Sequence, residues 1–225
     1  DKNTVTLSED DLMRGDISME LASRMMNRTY YETEKIRRVL QAIFHMVNKG
    51  HQVFVVGTIL EDNSVKGGTG WAVELAKLFN RPLHVYDQPR CQWFTWKEGA
   101  WKEDAPRICY NTFVGSGTRY LSDDGLAAIN KLLDTASDSL AKAETYNKAW
   151  QKLPQVNGQN AALTDEMQKS WNQMHEVMRL SIQYLRADNY QAYGDLDAQQ
   201  AQDDMEAVYN RWRAENNTLL KAATE

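Results

Sequence analysis

Lys66-Gly67-Gly68-Thr69-Gly70-Trp71-Ala72-Val73-Glu74 holds the residue types and spacing best suited to chemistry. An apolar run, Val53 to Leu60, precedes it, and a helix is predicted from Trp71 to Phe79. Strand, glycine-rich turn and helix in that order aim backbone N–H groups at an anion, and the helix N-terminus adds about half a positive charge. Glycine admits a phosphate to the backbone because no Cβ intervenes. Gly67, Gly68, Thr69 and Gly70 are therefore candidate ligand contacts, with Glu74 near the mouth of the same pocket. The same residues also suit a plain tight turn with a solvated first-turn carboxylate, and the local pattern alone does not choose between them.

A second glycine-rich turn, Phe113-Val114-Gly115-Ser116-Gly117-Thr118-Arg119, is expected after a strand over 107–112. Arg119 there could meet an anion or pair with Asp123 or Asp124. Ser116 has no assignable histidine and carboxylate partners, so a nucleophile is not expected. Asp87, after the strand Leu83 to Tyr86, could accept from a ribose hydroxyl or cap the turn that follows. His45, His51, His84 and His175 are scattered without an H-x-x-x-H pair, which predicts no metal site, and His84 within a strand reads as structural. Cys91 and Cys109 lack C-x-x-C spacing. Free thiols are expected, with a bridge left open. Trp93, Phe94, Trp96 and Trp101 could stack a base, but cross-strand packing in a hairpin is the default.

The elements that must position these residues follow from periodicity. Residues 1–16 read as a polar arm. Ile17 to Val47 reads as helix with a break near Asn27, and Ile36, Val39, Leu40, Ile43, Phe44 and Val47 form one apolar stripe. The unbroken Val53–Leu60 run suits a strand covered on both faces, as in a parallel sheet. Residues 53–86 are thus expected to form a parallel β-α-β unit, followed by an aromatic hairpin around Lys97-Glu98-Gly99. Beyond residue 126 no strand pattern appears. Stripes such as Met167, Trp171, Met174 and Met178 predict long amphipathic helices. The expected organisation is an N-terminal arm (1–16), a Rossmann-like domain (17–125) and a helical extension (126–225).

The chain is 42% hydrophobic and 25% charged, the composition of a globular protein. A net charge of −5 argues against a general nucleic-acid binder, which usually presents a basic face. No apolar stretch approaches the length of a membrane span, so no membrane association is expected. The first residue is Asp1 rather than Met, which is expected of a processed form or of a longer product whose start is absent.

From about Thr6 to Asp134 the order of landmarks resembles the SLOG-type Rossmann-like superfamily, which includes LOG-like, or lysine-decarboxylase-like, and molybdenum-cofactor-carrier-like proteins. The landmarks are Val53–Ile59, Val65–Glu74, Val85–Gln88, Trp93–Trp96 and Phe113–Arg119. The nearest likeness is to uncharacterised bacteriophage members. The resemblance implies an α/β fold with a mostly parallel sheet, possibly truncated, plus a C-terminal helical hairpin or bundle. It implies a nucleotide or other phosphate-containing ligand held by Gly67, Gly68, Thr69, Gly70, Asp87, Gly115, Gly117, Thr118 and Arg119.

LOG-type enzymes use the pattern G-G-x-G-T-x-x-E, matched here by Gly67, Gly68, Gly70 and Glu74. Trp71 replaces its threonine, the arginine expected near 41–43 is missing, and residues 1–50 supply no first strand and glycine turn. The expected function is therefore a catalytically degenerate nucleotide-type module serving as a scaffold, cytoplasmic or incorporated in a phage virion. It would associate with a protein partner or with itself through the C-terminal helices. The alternatives are an active nucleoside-monophosphate phosphoribohydrolase with Glu74 as its catalytic residue, and a small-molecule sensor or carrier.

Overall fold

The structure is a computed structural model that describes residues 6–30, 33–110, 112–154 and 158–224. It divides into two compact units, one over Thr4–Leu132 and one from Leu133 onward.

Helices come first in the sheet unit. α1 (Glu9–Met13) occupies part of the expected irregular arm because Ser8 and Asp11 form a capping box. α2 (Asp16–Met26) stops at Asn27, whose left-handed backbone (φ 50) reverses the chain. α3 (Glu34–Lys49) is capped by Thr33, whose hydroxyl accepts from the Ile36 amide. α2 and α3 are clipped by Asp16, which accepts from Tyr30 (2.5 Å), Gln41 (2.7 Å) and Arg37 (2.6 Å). Burial raises the Asp16 pKa, but these three donors outweigh it and leave the carboxyl below its usual range.

β1 (Gln52–Gly57), α4 (Thr69–Leu78) and β2 (Leu83–Asp87) form the β-α-β unit that their apolar runs predict, with β1 and β2 parallel. The Rossmann-like, mostly parallel sheet does not follow from it. β3 (Gln92–Lys97) and β4 (Ala100–Glu103) extend the edge at β2 antiparallel, and β5 (Phe113–Gly117) joins β1 parallel. The result is a small five-stranded mixed sheet of order β4-β3-β2-β1-β5 in a helix-rich chain. Two local reasons account for the difference. The chain before β1 supplies amphipathic helices, and a two-residue Glu98-Gly99 turn, both residues at positive φ, folds the aromatic segment back as a hairpin. The strand expected over 107–112 also shifts, so that Gly115 and Gly117 lie within β5 rather than in a turn.

One face of the sheet buries Val53, Val55, Leu83 and Val85 in a core with Leu40, Val47, Val73 and Leu75. On the other face Val56 and Tyr86 meet Ala128 of α5 (Asp123–Trp150).

In the second unit, α6 (Ala161–Arg186), α7 (Tyr190–Gly194) and α8 (Ala198–Thr224) follow α5. Glu166, early in α6, pairs with Arg211, midway along α8, and Asp134, early in α5, pairs with Arg186, at the end of α6. α6 therefore runs antiparallel to both. Met167 is buried and Trp171, Met174 and Met178 are half-buried, as the amphipathic stripe requires. Trp150 and Trp212 meet edge to face at 5.8 Å, joining α5 to α8.

His84 shows how tightly the sheet is sealed. Its Nε2 lies 3.0 Å from the Gln52 amide nitrogen and its Nδ1 2.7 Å from the Thr95 hydroxyl. The Gln52 amide nitrogen can only donate, its oxygen accepting from the Cys109 amide, so Nε2 accepts and the proton sits on Nδ1. Burial pushes the imidazole pKa down to about 4. Below the unfolded value of about 6.5 the unfolded chain takes up a proton that the folded chain refuses. Stability is thus full above that value and falls as pH drops toward 4. Urea unfolding of the sheet unit is expected to lose about 3 kcal/mol from this residue between pH 7 and pH 4, and His84→Gln should remove that share of the pH dependence.

Candidate functional site

A cavity of about 710 Å³ opens at the carboxyl ends of β1 and β5. Its lining comes from Gly57 and Thr58 after β1, from Lys66, Gly67, Gly68 and Thr69 at the start of α4, from Gln88, and from Ser116 to Tyr120. Ile43 of α3 closes one side.

The glycine loop is built from both directions. Ile59 and Val65 form an isolated bridge, and the Lys66 amide donates to the Thr58 carbonyl. Arg28, in the link after α2, donates to the carbonyls of Gly67 (2.9 Å) and Val65 (3.1 Å), pulling them to the side that Arg28 occupies. Gly67 has φ +76, a conformation costly for other residues. At Gly70 a Cβ would lie 2.2 Å from the Val65 carbonyl oxygen. These two glycines therefore answer to the backbone. At Gly68 a Cβ would meet nothing within 4 Å, because the residue borders open space.

Of the residues read from the sequence, Gly67, Gly68, Thr69, Gly117, Thr118 and Arg119 line the cavity. Gly70, Gly115, Asp87 and Glu74 are not in its lining. Asp87 is buried. It accepts from the Ile59 amide at 2.9 Å and pairs with Arg90 at 3.0 Å, so it pins β2 to the loop after β1. Glu74 is also buried, in a 2.8 Å ion pair with Lys77. The Lys77 ammonium donates in addition to the Asn63 carbonyl (2.9 Å) and sits 4.1 Å from the Trp96 ring centre and 5.3 Å from that of Trp101. Trp96 and Trp101 pack across the β3–β4 hairpin at 5.0 Å. These aromatic rings therefore serve packing and cation–π contact.

Sequence reasoning did not select Thr58, Gln88 or Tyr120 as site residues. Gln88 accepts from the Ser122 amide and donates to the Tyr120 carbonyl, fixing the far rim. Its role depends on a 34-residue separation that no local pattern reveals. Ser116 lines the cavity with no histidine or carboxylate in the lining. Cys91 and Cys109 are free and exposed. Among the described residues no cluster of three or more His, Cys, Asp or Glu side chains is placed to hold a metal. No helix among them is long and apolar enough to cross a membrane.

Comparison with known proteins places the resemblance elsewhere in the chain. Residues 111–221 match the family model of the Tar ligand binding domain homologue. The chain is 45% identical over 100 residues to the methyl-accepting chemotaxis citrate transducer of Salmonella typhimurium, covering 44% of this chain and 18% of the relative. It is 29% identical over 115 residues to the methyl-accepting chemotaxis aspartate transducer of Klebsiella aerogenes (51% of this chain, 21% of the relative). It is 27% identical over 113 residues to methyl-accepting chemotaxis protein I of Escherichia coli (48% and 20%). The chain thus spans about a fifth of the length of the curated relatives it matches. No solved structure matches it.

These matches overturn the SLOG-type identification. The matched family covers the helical half and overlaps the supposed SLOG region only at its end. They also overturn the nucleotide-module, phage-scaffold, virion and cytoplasmic readings, since the relatives are chemotaxis transducers. The SLOG-type identification gave weight to Gly67 and Gly70, which serve loop geometry, and to Glu74, which serves a buried ion pair. Association through the C-terminal helices is compatible with the matched family.

The Glu74–Lys77 pair makes a direct prediction. Lys77→Met should strand a buried carboxylate and cost the sheet unit about 3–5 kcal/mol in urea unfolding. Glu74→Leu combined with Lys77→Met should recover most of that loss. An undiminished Lys77→Met protein would mean that the pair is not buried in solution.

Proposed function

We propose that residues 111–221 act as a ligand-binding sensor module of the methyl-accepting chemotaxis transducer kind. The observation that carries this reading is the family match over that segment, joined by 45% identity across 100 residues to a citrate transducer. The helical unit supports it physically: α6 and α8 pack side by side, and α5 is tied to them by the Asp134–Arg186 ion pair and the Trp150–Trp212 contact, a helical setting in which ligand sites can be built from facing helices. The ligand class is a small carboxylate, after the citrate and aspartate for which two relatives are named. In this reading the module belongs to a membrane-bound transducer and faces outside the cytoplasm.

Self-association through the helices belongs to the same proposal. Tyr146 of α5 and Leu220 of α8 are 74% and 64% exposed, apolar side chains available to a second helical surface. Isothermal titration of the full chain with citrate and with aspartate is expected to give saturable heat with at least one of them. Sedimentation should show a dimer whose population rises with that ligand. No heat with either acid, in protein whose helix content is intact, would overturn the proposal.

A further inference from the structure

We propose that the cavity at the carboxyl ends of β1 and β5 is a second binding site, for a small molecule bearing a phosphate or carboxylate group. It lies in the sheet unit; Ser116 to Tyr120 of its lining also fall within residues 111–221, but the inference does not rest on the chemosensory reading.

The chain carries a net −5, yet no Asp or Glu lines this cavity, while Lys66 and Arg119 do. They come from separate elements, the α4 loop and the segment after β5. Neither has an ion-pair partner among the described residues, as is true of several other cations of this unit, but these two face one cavity. Two uncompensated cations at one concave site raise the local anion concentration.

Hydrogen-bonding capacity lies between them. Thr58, Ser116 and Thr118 contribute hydroxyls to the lining, although Thr118 Oγ1 already accepts from the Tyr120 amide. Gly67, Gly68 and Thr69 stand at the first turn of ten-residue α4, where amides have no helical acceptor. Arg28 holds the Val65 and Gly67 carbonyls, so these oxygens are engaged elsewhere and do not oppose an anion. The volume, about 710 Å³, falls among small-molecule sites rather than those of a single ion. Gly68 and Gly117 border unfilled space, so a ligand would approach main chain directly there.

Amide NMR of the full chain during titration with inorganic phosphate and, separately, malonate tests the assignment and distinguishes the two oxyanion chemistries. Saturable shifts are expected at Gly67, Gly68, Gly117 and Thr118 with at least one probe. Lys66→Met combined with Arg119→Met should weaken that binding at least tenfold. Gly68→Asp places a carboxylate in open space without meeting the fold, and should abolish it. Shifts that persist unchanged in both variants would show an adventitious ion only and overturn the proposal. So would the lack of any shift at millimolar probe in the natural chain. If the double variant fails to fold, the natural-chain shifts and Gly68→Asp decide.

Discussion

The Lys77 ammonium is the contact on which the sheet unit most depends. It joins three parts of the chain far apart in sequence: Glu74 of α4, the Asn63 carbonyl in the loop after β1, and the Trp96–Trp101 pair of the β3–β4 hairpin. A charge this well buried is tolerated only because a carboxylate, a carbonyl and two ring faces replace its water. Trp101 donates its indole N–H to the same Asn63 carbonyl, so the hairpin and the loop are held by one acceptor. Without this junction α4, the loop after β1 and the β3–β4 hairpin would lose their common contact.

The same junction explains why Glu74 misled. A glutamate four residues after a glycine turn looks like a residue aimed at a ligand. Its direction, however, is set by Lys77 one helical turn further on and by aromatic rings beyond the next strand. The i, i+3 spacing to Lys77 was visible in the sequence, but the cation–π contacts were not, because they depend on hairpin register. Asp87 is a parallel case: its place at a strand end was legible, whereas its bond to the Ile59 amide depends on how the loop after β1 folds over.

Local structure was legible wherever one short pattern decided it. The apolar runs of β1 and β2, the left-handed stop at Asn27 and the Met–Trp stripe of α6 all appear as periodicity and turn chemistry predict. Global class was not. A β-α-β unit is common to many sheets, and the residues that made this one small and mixed lie in the hairpin turn and in the helices before β1. Nor could periodicity identify the helical half, since amphipathic stripes of this kind serve any bundle. The matched segment begins at 111, whereas the sheet unit extends to Leu132, so residues 112–132 serve the sheet while falling within the family match. Ala128 is a clear instance, a helical residue of the matched segment buried against Val56 and Tyr86.

The proposed sensing rests on α6 and α8, the helices of residues 111–221 that lie outside the sheet unit. Hydrogen–deuterium exchange of the full chain with and without saturating citrate tests it most directly. The account predicts slowed exchange in α6 and α8, with the amides of β1 and β2 unchanged. Protection confined to the glycine loop and β1, with the helices unaffected, would contradict it.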